Sequence, residues 1–199
     1  MVSGRYVRTM NENHALCSTP EWAEWLQSTV LPYLVRDVRL GDVMLELGPG
    51  PGAATQWLRH RVPRLVALEH DPQAAERLIK TYGGTNVTTL VGDATAMDFE
   101  DESFDAVGSF TMLHHVPSIA LQNLLFAEVL RVLRPGGAFI GSDSLPSDGL
   151  HRFHDADTYN PIEPGSLLVR LQTIGFERFT VSVDGVLKFI AYKPDDVTG

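Results

Sequence analysis

The sequence of 199 residues has little of three things: cysteine, basic charge and long apolar runs. Cys17 is the only cysteine, which excludes an intrachain disulfide and suits a reducing cytoplasm. Lysine and arginine number 16 against 25 acidic residues, and the net charge of −9 argues against a nucleic-acid-binding face, which is normally basic. No apolar run could span a bilayer, and the N-terminus lacks the apolar core of a secretory signal. We therefore expect a cytoplasmic protein with neither a nucleic-acid nor a membrane partner.

The length and the local composition predict one domain with two irregular segments. Residues 1–18 are polar and aperiodic, which indicates a flexible arm or, for residues 11–18, a lid over a ligand. Residues 19–199 form the predicted single domain, since a chain of this size buries a sizeable core. Within it, residues 143–165 are rich in Pro, Gly, Asp and His, and a loop of this length is usually a lid or disordered. We predict a lid over a binding site.

Short apolar runs alternate with amphipathic helical patterns, which is typical of an α/β fold. Thr19-Pro20 begins a helix, and Pro32 is expected to kink it. The predicted strands are the run that begins at Val43 and residues 64–69, 86–91, 104–110, 138–142, 176–183 and 186–192. Asp184-Gly185 joins the last two as a hairpin. The prediction is a doubly wound, mostly parallel, seven-stranded sheet with a C-terminal antiparallel hairpin and helices on both faces.

A glycine-rich turn follows the first predicted strand. Gly48, Gly50 and Gly52 fall at every second position, as expected where the backbone bends tightly or lies close to a ligand. In an open α/β sheet this turn lies in the crevice at the carboxyl ends of the strands, where ligands bind.

Two ligand classes compete for this turn. The spacing Gly48-x-Gly50-x-x-Ala53 satisfies the dinucleotide fingerprint, which would make the protein an NAD(H)-dependent enzyme. However, Pro49 and Pro51 each remove a backbone N–H donor that a diphosphate needs. The carboxylate of Glu46 at the entry of the turn would also repel a diphosphate and suit a cation. A ligand with a sulfonium and an ammonium group fits better.

The stretch Glu46-Leu-Gly48-Pro-Gly50-Pro-Gly52 resembles motif I, E/D-x-G-x-G-x-G, of the class I S-adenosylmethionine-dependent methyltransferases. The resemblance extends from about Asp42 to about Tyr192. The Arg-Pro-Gly-Gly turn at residues 134–137 is similar to that of family members that act on small molecules. The resemblance implies S-adenosylmethionine as the cofactor and methyl transfer as the activity. From the length and the histidines of residues 143–165, we expect this segment to be a lid over the methyl acceptor.

The resemblance also implies roles for the residues at the strand ends. Glu69 stands 21 residues beyond Gly48 at the end of the second strand, where a carboxylate binds both ribose hydroxyls. His70 either flanks the adenine or faces solvent. Asp93 is expected to bind the adenine amino group, with a backbone N–H from Ala94. The expected cofactor-binding residues are Glu46, Gly48, Gly50, Gly52, Glu69, His70, Asp93, Ala94 and Phe110.

Histidines after the fourth strand are candidates for a general base. His114 and His115 are neighbours, so in an extended chain they would face opposite sides and only one could serve. Some family members that act on small molecules place a catalytic histidine where His114 stands. Histidine in general suits the role of a base, because its side chain can gain or lose a proton near neutral pH. The alternative is a histidine that merely bonds a neighbouring loop.

A second group of histidines lies in the predicted lid. His151, His154 and Asp155 would share one face of a helical turn and either supply the base or bind a divalent metal such as Mg²⁺. The alternative is a solvated polar loop, because the spacing matches no recognised metal motif.

The acceptor is expected to be a small molecule, methylated at oxygen. Residues 109–112, Ser-Phe-Thr-Met, lack the polar-Pro-Pro-aromatic signature of family members that methylate amino groups of nucleic acids. A catalytically silent cofactor-binding subunit remains an alternative, and the aromatic residues of the first helix are compatible with a homodimer.

Overall fold

The computed structural model of the protein describes residues 19–155 and 157–196. The arm or lid predicted over residues 1–18 lies outside the described part of the chain. From residue 43 to residue 174, strands and helices largely alternate. None of the helices within the described ranges is long and apolar enough to cross a membrane.

The first helical segment contains a widened turn just before its proline. It consists of α1 (Pro20–Trp25), a π-helical turn (Leu26–Val30) and α2 (Leu31–Val35). Pro32 has no N–H, and its ring would clash with the carbonyl four residues earlier in a regular helix. The π-helical turn relieves this clash, so the irregularity expected at Pro32 takes the form of a widened turn.

Seven strands form one sheet. They are β1 (Val43–Leu47), β2 (Arg64–Glu69), β3 (Val87–Val91), β4 (Phe104–Phe110), β5 (Leu133–Asp143), β6 (Glu177–Asp184) and β7 (Val186–Tyr192). The helices between them are α3 (Ala53–Leu58), α4 (Pro72–Tyr82), α5 (Ile119–Val132), α6 (Asp148–Phe153) and α7 (Pro164–Ile174). The strand order is β3-β2-β1-β4-β5-β7-β6. Strands β1 to β5 are parallel, and β7 is antiparallel to both β5 and β6. The predicted fold class is confirmed.

The strand order places a crevice between β1 and β4. The chain leaves β1 towards β2 and β3, then returns to the other side of β1 as β4. The connections after β1 and β4 therefore diverge, and a crevice opens at their carboxyl ends, where ligands bind in such sheets.

The central strands of the sheet are buried on both faces. Successive residues of the central strands enter different core clusters: Met44, Ala106 and Ile140 enter one, and Leu45, Val107 and Phe139 the other. The first helical segment covers the former cluster with Leu26, Val30, Leu31 and Leu34. Helices α5 and α7 cover the latter with Leu125, Phe126, Leu167 and Leu171. This alternation follows from the two-residue period of a strand.

The segment over residues 143–165 holds more regular structure than expected. Ser147 accepts a hydrogen bond from the backbone N–H of Leu150 at 3.1 Å and so caps the short helix α6. With six residues, α6 is too short to give a periodic pattern in the sequence. Helix α7 also begins within this segment, at Pro164.

Candidate active site

The glycine turn after β1 uses all of its own backbone donors. The N–H of Gly48 donates to the Leu68 carbonyl at 2.9 Å, and that of Gly52 to the Pro49 carbonyl at 2.9 Å. The N–H of Gly50 donates to Oε2 of Glu69 at 2.9 Å. Since the two prolines of the turn have no N–H, residues 48–52 offer a diphosphate no spare backbone donor. This geometry agrees with the expectation, made from Pro49 and Pro51, that the turn has too few backbone donors for a diphosphate.

The three glycines of the turn serve different purposes. All have positive φ: +59° at Gly48, +54° at Gly50 and +88° at Gly52. A Cβ on Gly48 would lie 2.3 Å from Cγ of Met112, and one on Gly52 would lie 2.9 Å from Leu78. A Cβ on Gly50 would meet no atom of the described residues within 4 Å. Gly48 and Gly52 therefore permit close packing, whereas Gly50 faces an open space in the crevice.

Glu69 lies beside that open space. Its side chain is buried, and it accepts hydrogen bonds from the N–H of Gly50 at 2.9 Å and of Asp71 at 3.0 Å. These two bonds use different carboxylate oxygens, so each oxygen keeps acceptor capacity for a further donor such as a ribose hydroxyl. His70 follows at partial exposure.

Glu46 lies beneath the turn and not at its mouth. It is 1% exposed, and the Thr55 hydroxyl donates to its Oε2 at 2.7 Å. Burial, helped by the nearby charge of Glu69 and opposed by the Thr55 hydrogen bond, raises the pKa of Glu46 from 4.5 to about 7. At neutral pH this carboxyl is only partly ionised. The expectation that Glu46 presents a full negative charge to the ligand is therefore wrong, because burial penalises that charge.

The raised pKa of Glu46 predicts how the substitution Glu46→Gln changes the pH dependence of the free energy of unfolding. The native state holds a proton between pH 4.5 and about 7 that the unfolded chain releases, so this carboxyl destabilises the fold as pH rises through that window. The shift corresponds to about 3 kcal/mol. In urea unfolding, the wild-type free energy of unfolding minus that of Glu46→Gln should fall by about this amount from pH 4.5 to pH 8. Because the other titrating groups are shared, a difference that is constant with pH would contradict the assignment.

The remaining expected cofactor residues differ in their surroundings. Asp93 is exposed, and its Oδ1 accepts hydrogen bonds from the N–H and the hydroxyl of Thr95, both at 2.8 Å. Ala94 is partly buried beside it. Phe110 is 8% exposed and belongs to the core cluster under the first helical segment. Phe110 thus packs in the core at the end of β4, and its contact with the cofactor stays a prediction.

His114 is held by an aspartate that the sequence analysis did not single out. After β4, Thr111 adopts a φ of +57° and the chain forms a 3₁₀ turn, Leu113–His115. Nδ1 of His114 lies 2.5 Å from Oδ1 of Asp143, and the backbone N–H of His114 donates to Oδ2 of Asp143 at 3.2 Å. Asp143 is the last residue of β5, the strand next to β4. The signal that could have found it is an acid at the tip of that neighbouring strand.

His115 and His154 join His114 in a buried cluster. The ring centroid of His114 lies 4.1 Å from that of His115 and 4.9 Å from that of His154, and the last two lie 5.0 Å apart. The three residues are 2–5% exposed. The expectation that His114 and His115 face opposite sides is wrong, because a 3₁₀ turn rotates successive side chains by about 120° and not by 180°.

His151 and Asp155 lie apart from this cluster. Both are exposed, whereas His154, at the C-terminal end of α6, is buried. His151 stacks on Tyr159 with 5.2 Å between ring centroids and lines an open groove with Asp148, Arg152 and Asp155. Among the described residues, His151, His154 and Asp155 do not form a group whose ligand atoms are close enough to hold one metal ion, so the metal set expected from their spacing is wrong.

A groove of about 420 Å³ lies at the same carboxyl edge of the sheet. Its lining is mostly apolar and includes Leu145, Leu150 and Phe153 of the segment over residues 143–165 and Val186 at the start of β7. Ser144, next to Asp143 in the chain, also lines it. The segment over residues 143–165 is fastened to the turn after β4, since the Asn160 backbone N–H donates to the His114 carbonyl at 2.8 Å. The groove thus begins one residue beyond Asp143, although neither His114 nor Asp143 lines it.

Comparisons with known proteins agree with this architecture. The family described as a methyltransferase domain matches residues 45–141. The PH0226 protein of Pyrococcus horikoshii has a similar structure, with a TM-score of 0.77 and 19% identity over 94% of this chain and all of that chain. At this identity the likeness concerns the fold alone.

Proteins related in sequence have names that specify different methyl acceptors. The sterol 24-C-methyltransferase of Yarrowia lipolytica is 30% identical over 64% of this chain and 32% of its own length. The fatty-acid O-methyltransferase of Mycolicibacterium smegmatis is 27% identical over 69% and 48%. The ribosomal RNA small subunit methyltransferase A of Cupriavidus taiwanensis is 42% identical over 30% and 21%. The chain thus spans less than half the length of these relatives.

Proposed function

Because the chain belongs to the class I S-adenosylmethionine-dependent methyltransferases, we propose that it transfers a methyl group to a hydroxyl oxygen of a small-molecule acceptor. The single observation that carries the proposal is the buried pair of His114 and Asp143 at the carboxyl ends of β4 and β5. A hydroxyl oxygen is a weak nucleophile until a base removes its proton, whereas the lone pair of a neutral amine attacks without such help.

The residues of the crevice fit S-adenosylmethionine. The open space at Gly50 is a cradle that any larger residue would fill. Both oxygens of Glu69 border it and would accept hydrogen bonds from the ribose hydroxyls. The turn has no spare backbone donor for a diphosphate, which disfavours a nicotinamide dinucleotide. When bound, the cofactor supplies an electrophilic methyl group on a sulfonium.

His114 would act as the general base. Asp143 holds Nδ1 of His114, which would leave Nε2 to accept the proton that the acceptor hydroxyl loses as it takes the methyl group and a neutral thioether is released. The carboxylate then stabilises the resulting imidazolium. General-base catalysis contributes about 10²–10⁴-fold, and alignment of the two reactants on the order of 7–11 kcal/mol.

The groove under the lid supports a small acceptor with an apolar body. Leu145, Leu150, Phe153 and Val186 line it, and such surfaces bind apolar groups. The net charge of −9 would repel a phosphate backbone. Mg²⁺ has no part in this mechanism, because the candidate metal ligands that come together among the described residues are three histidines, whereas this ion prefers oxygen ligands.

The proposal can be tested by locating the transferred methyl group. The full-length protein is incubated with methyl-labelled S-adenosylmethionine and three acceptor sets: hydroxylated small molecules, amines and activated-carbon compounds, and ribosomal RNA. We expect labelled methyl ethers or esters, identified by mass spectrometry, from apolar hydroxylated acceptors. Label found only on nitrogen, carbon or RNA would overturn the proposal.

A further inference from the structure

We propose that His114, His115 and His154 form a binding site for a transition-metal ion such as Zn²⁺, assembled between the turn after β4 and the lid helix α6. The proposal concerns metal binding alone and does not rest on the proposed methyl transfer. It differs from the metal set expected from sequence, since only His154 belongs to both.

The distances bring the three imidazoles within reach of one ion. One ligand nitrogen from each lies within 4.8 Å of those of the other two, and all three side chains are buried. Zn–N bonds of about 2.0–2.1 Å in a tetrahedral site place the ligand nitrogens roughly 3.4 Å apart. Small side-chain rotations would close the remaining gap. This cluster is the one set of three or more candidate metal ligands among residues 19–155 and 157–196.

The hydrogen bonds behind two of the rings have the form found in metal sites. Metal-binding histidines almost always donate their second ring N–H to a carboxylate or a backbone carbonyl, which fixes the ring and its tautomer. Nδ1 of His114 lies 2.5 Å from Asp143, and Nδ1 of His154 lies 2.8 Å from the Leu150 carbonyl. Both contacts direct Nε2 to act as the ligand atom.

The ligand chemistry selects the class of metal. Three neutral imidazoles suit Zn²⁺, Co²⁺, Ni²⁺ or Cu²⁺, whereas Mg²⁺ and Ca²⁺ prefer oxygen ligands. The buried carboxylate of Asp143 behind His114 offsets part of the charge of the ion. Three protein ligands leave a fourth position open, as in other three-histidine sites.

Metal binding would connect the lid segment to the turn after β4. His154 belongs to the lid segment, while His114 and His115 belong to the turn after β4. A bound ion would hold these elements together and occupy Nε2 of His114. If His114 is also the base, Zn²⁺ inhibits the transfer and a chelator restores it.

The test uses the full-length protein freed of metal by a chelator. Tetrahedral Co²⁺ bound to nitrogen absorbs visible light, so it reports the geometry of the site directly, and Zn²⁺ should displace it. We expect one ion per chain by calorimetry, with a dissociation constant in the micromolar range or below. Removing an outer hydrogen-bond partner alone costs about 10–100-fold in metal affinity, so loss of a ligand in His154→Ala should cost at least about 100-fold.

The matched control is His151→Ala, which removes an exposed histidine one turn earlier on the same lid segment. It should bind Co²⁺ as the wild type does, and so should Cys17→Ser. His154→Gln serves as a second variant if His154→Ala unfolds, which thermal melting reports. The proposal is overturned if the wild type gives no tetrahedral spectrum. It is also overturned if the histidine variants at 151 and 154 lose equal affinity, or if Cys17→Ser abolishes binding.

Discussion

Replacing Gly50 by alanine is expected to weaken binding of S-adenosylhomocysteine by about 100-fold, or about 2.7 kcal/mol, while the protein stays folded. The new methyl group would enter the open space at the turn, where no atom of the described residues lies within 4 Å. The fold therefore loses only the cost of a non-glycine residue at a φ of +54°, about 1–2 kcal/mol. Calorimetry gives the affinity and thermal melting the stability.

Gly84→Ala is the matched control for that strain. Gly84 has a φ of +78°, its Cβ would also meet no atom of the described residues within 4 Å, and it lies after α4, away from the turn. We expect a similar loss of stability with unchanged affinity for S-adenosylhomocysteine. Equal loss of affinity in both variants, or full affinity in Gly50→Ala, would contradict the binding of the cofactor at this turn.

Replacing His114 by asparagine is expected to slow methyl transfer to a hydroxylated acceptor by about 10²–10⁴-fold. Asparagine is polar and can still donate a hydrogen bond towards Asp143, so a collapse of the buried pair is avoided, but it cannot accept the acceptor's proton. Single-turnover rates with an acceptor from the panel report the loss. Affinity for S-adenosylhomocysteine should change little, because the general base acts only in the transfer step.

Two further variants separate catalysis from structure. Asp143→Asn keeps the shape of the buried side chain but removes the charge that stabilises the imidazolium, so it should reduce the rate in the same direction. His151→Asn changes an exposed histidine and should leave the rate within about twofold of the wild type, as expected of a surface substitution. A His114→Asn enzyme with wild-type turnover would show that another group accepts the proton.

The elements predicted most accurately are those fixed by local chemistry. The strand expected over residues 64–69 matches β2, because apolar residues are continuous there and a turn follows. Helix α4 likewise begins where the sequence has Asp71-Pro72, because Asp71 caps it by accepting a hydrogen bond from the Gln73 N–H at 2.9 Å and proline suits the first helical position. The hairpin at Asp184-Gly185 forms where Gly185 adopts a φ of +69°.

The parts that sequence reasoning missed depend on tertiary contacts. Asp143 and His114 are 29 residues apart in the chain. They meet only because β5 lies next to β4 in the sheet. His154 turns inward while His151 stays exposed, although the spacing places them on one helical face. The state of Glu46 likewise depends on its complete burial, which a pattern of residue types does not reveal.

The central claim is that the crevice at Gly50 holds the cofactor with its sulfur towards the His114–Asp143 pair. A crystal structure with S-adenosylhomocysteine tests this most directly. We predict that the ribose hydroxyls bond to Glu69 and that the sulfur points to Nε2 of His114, with room between them for an acceptor oxygen. A product bound elsewhere, or a sulfur directed away from His114, would contradict the account.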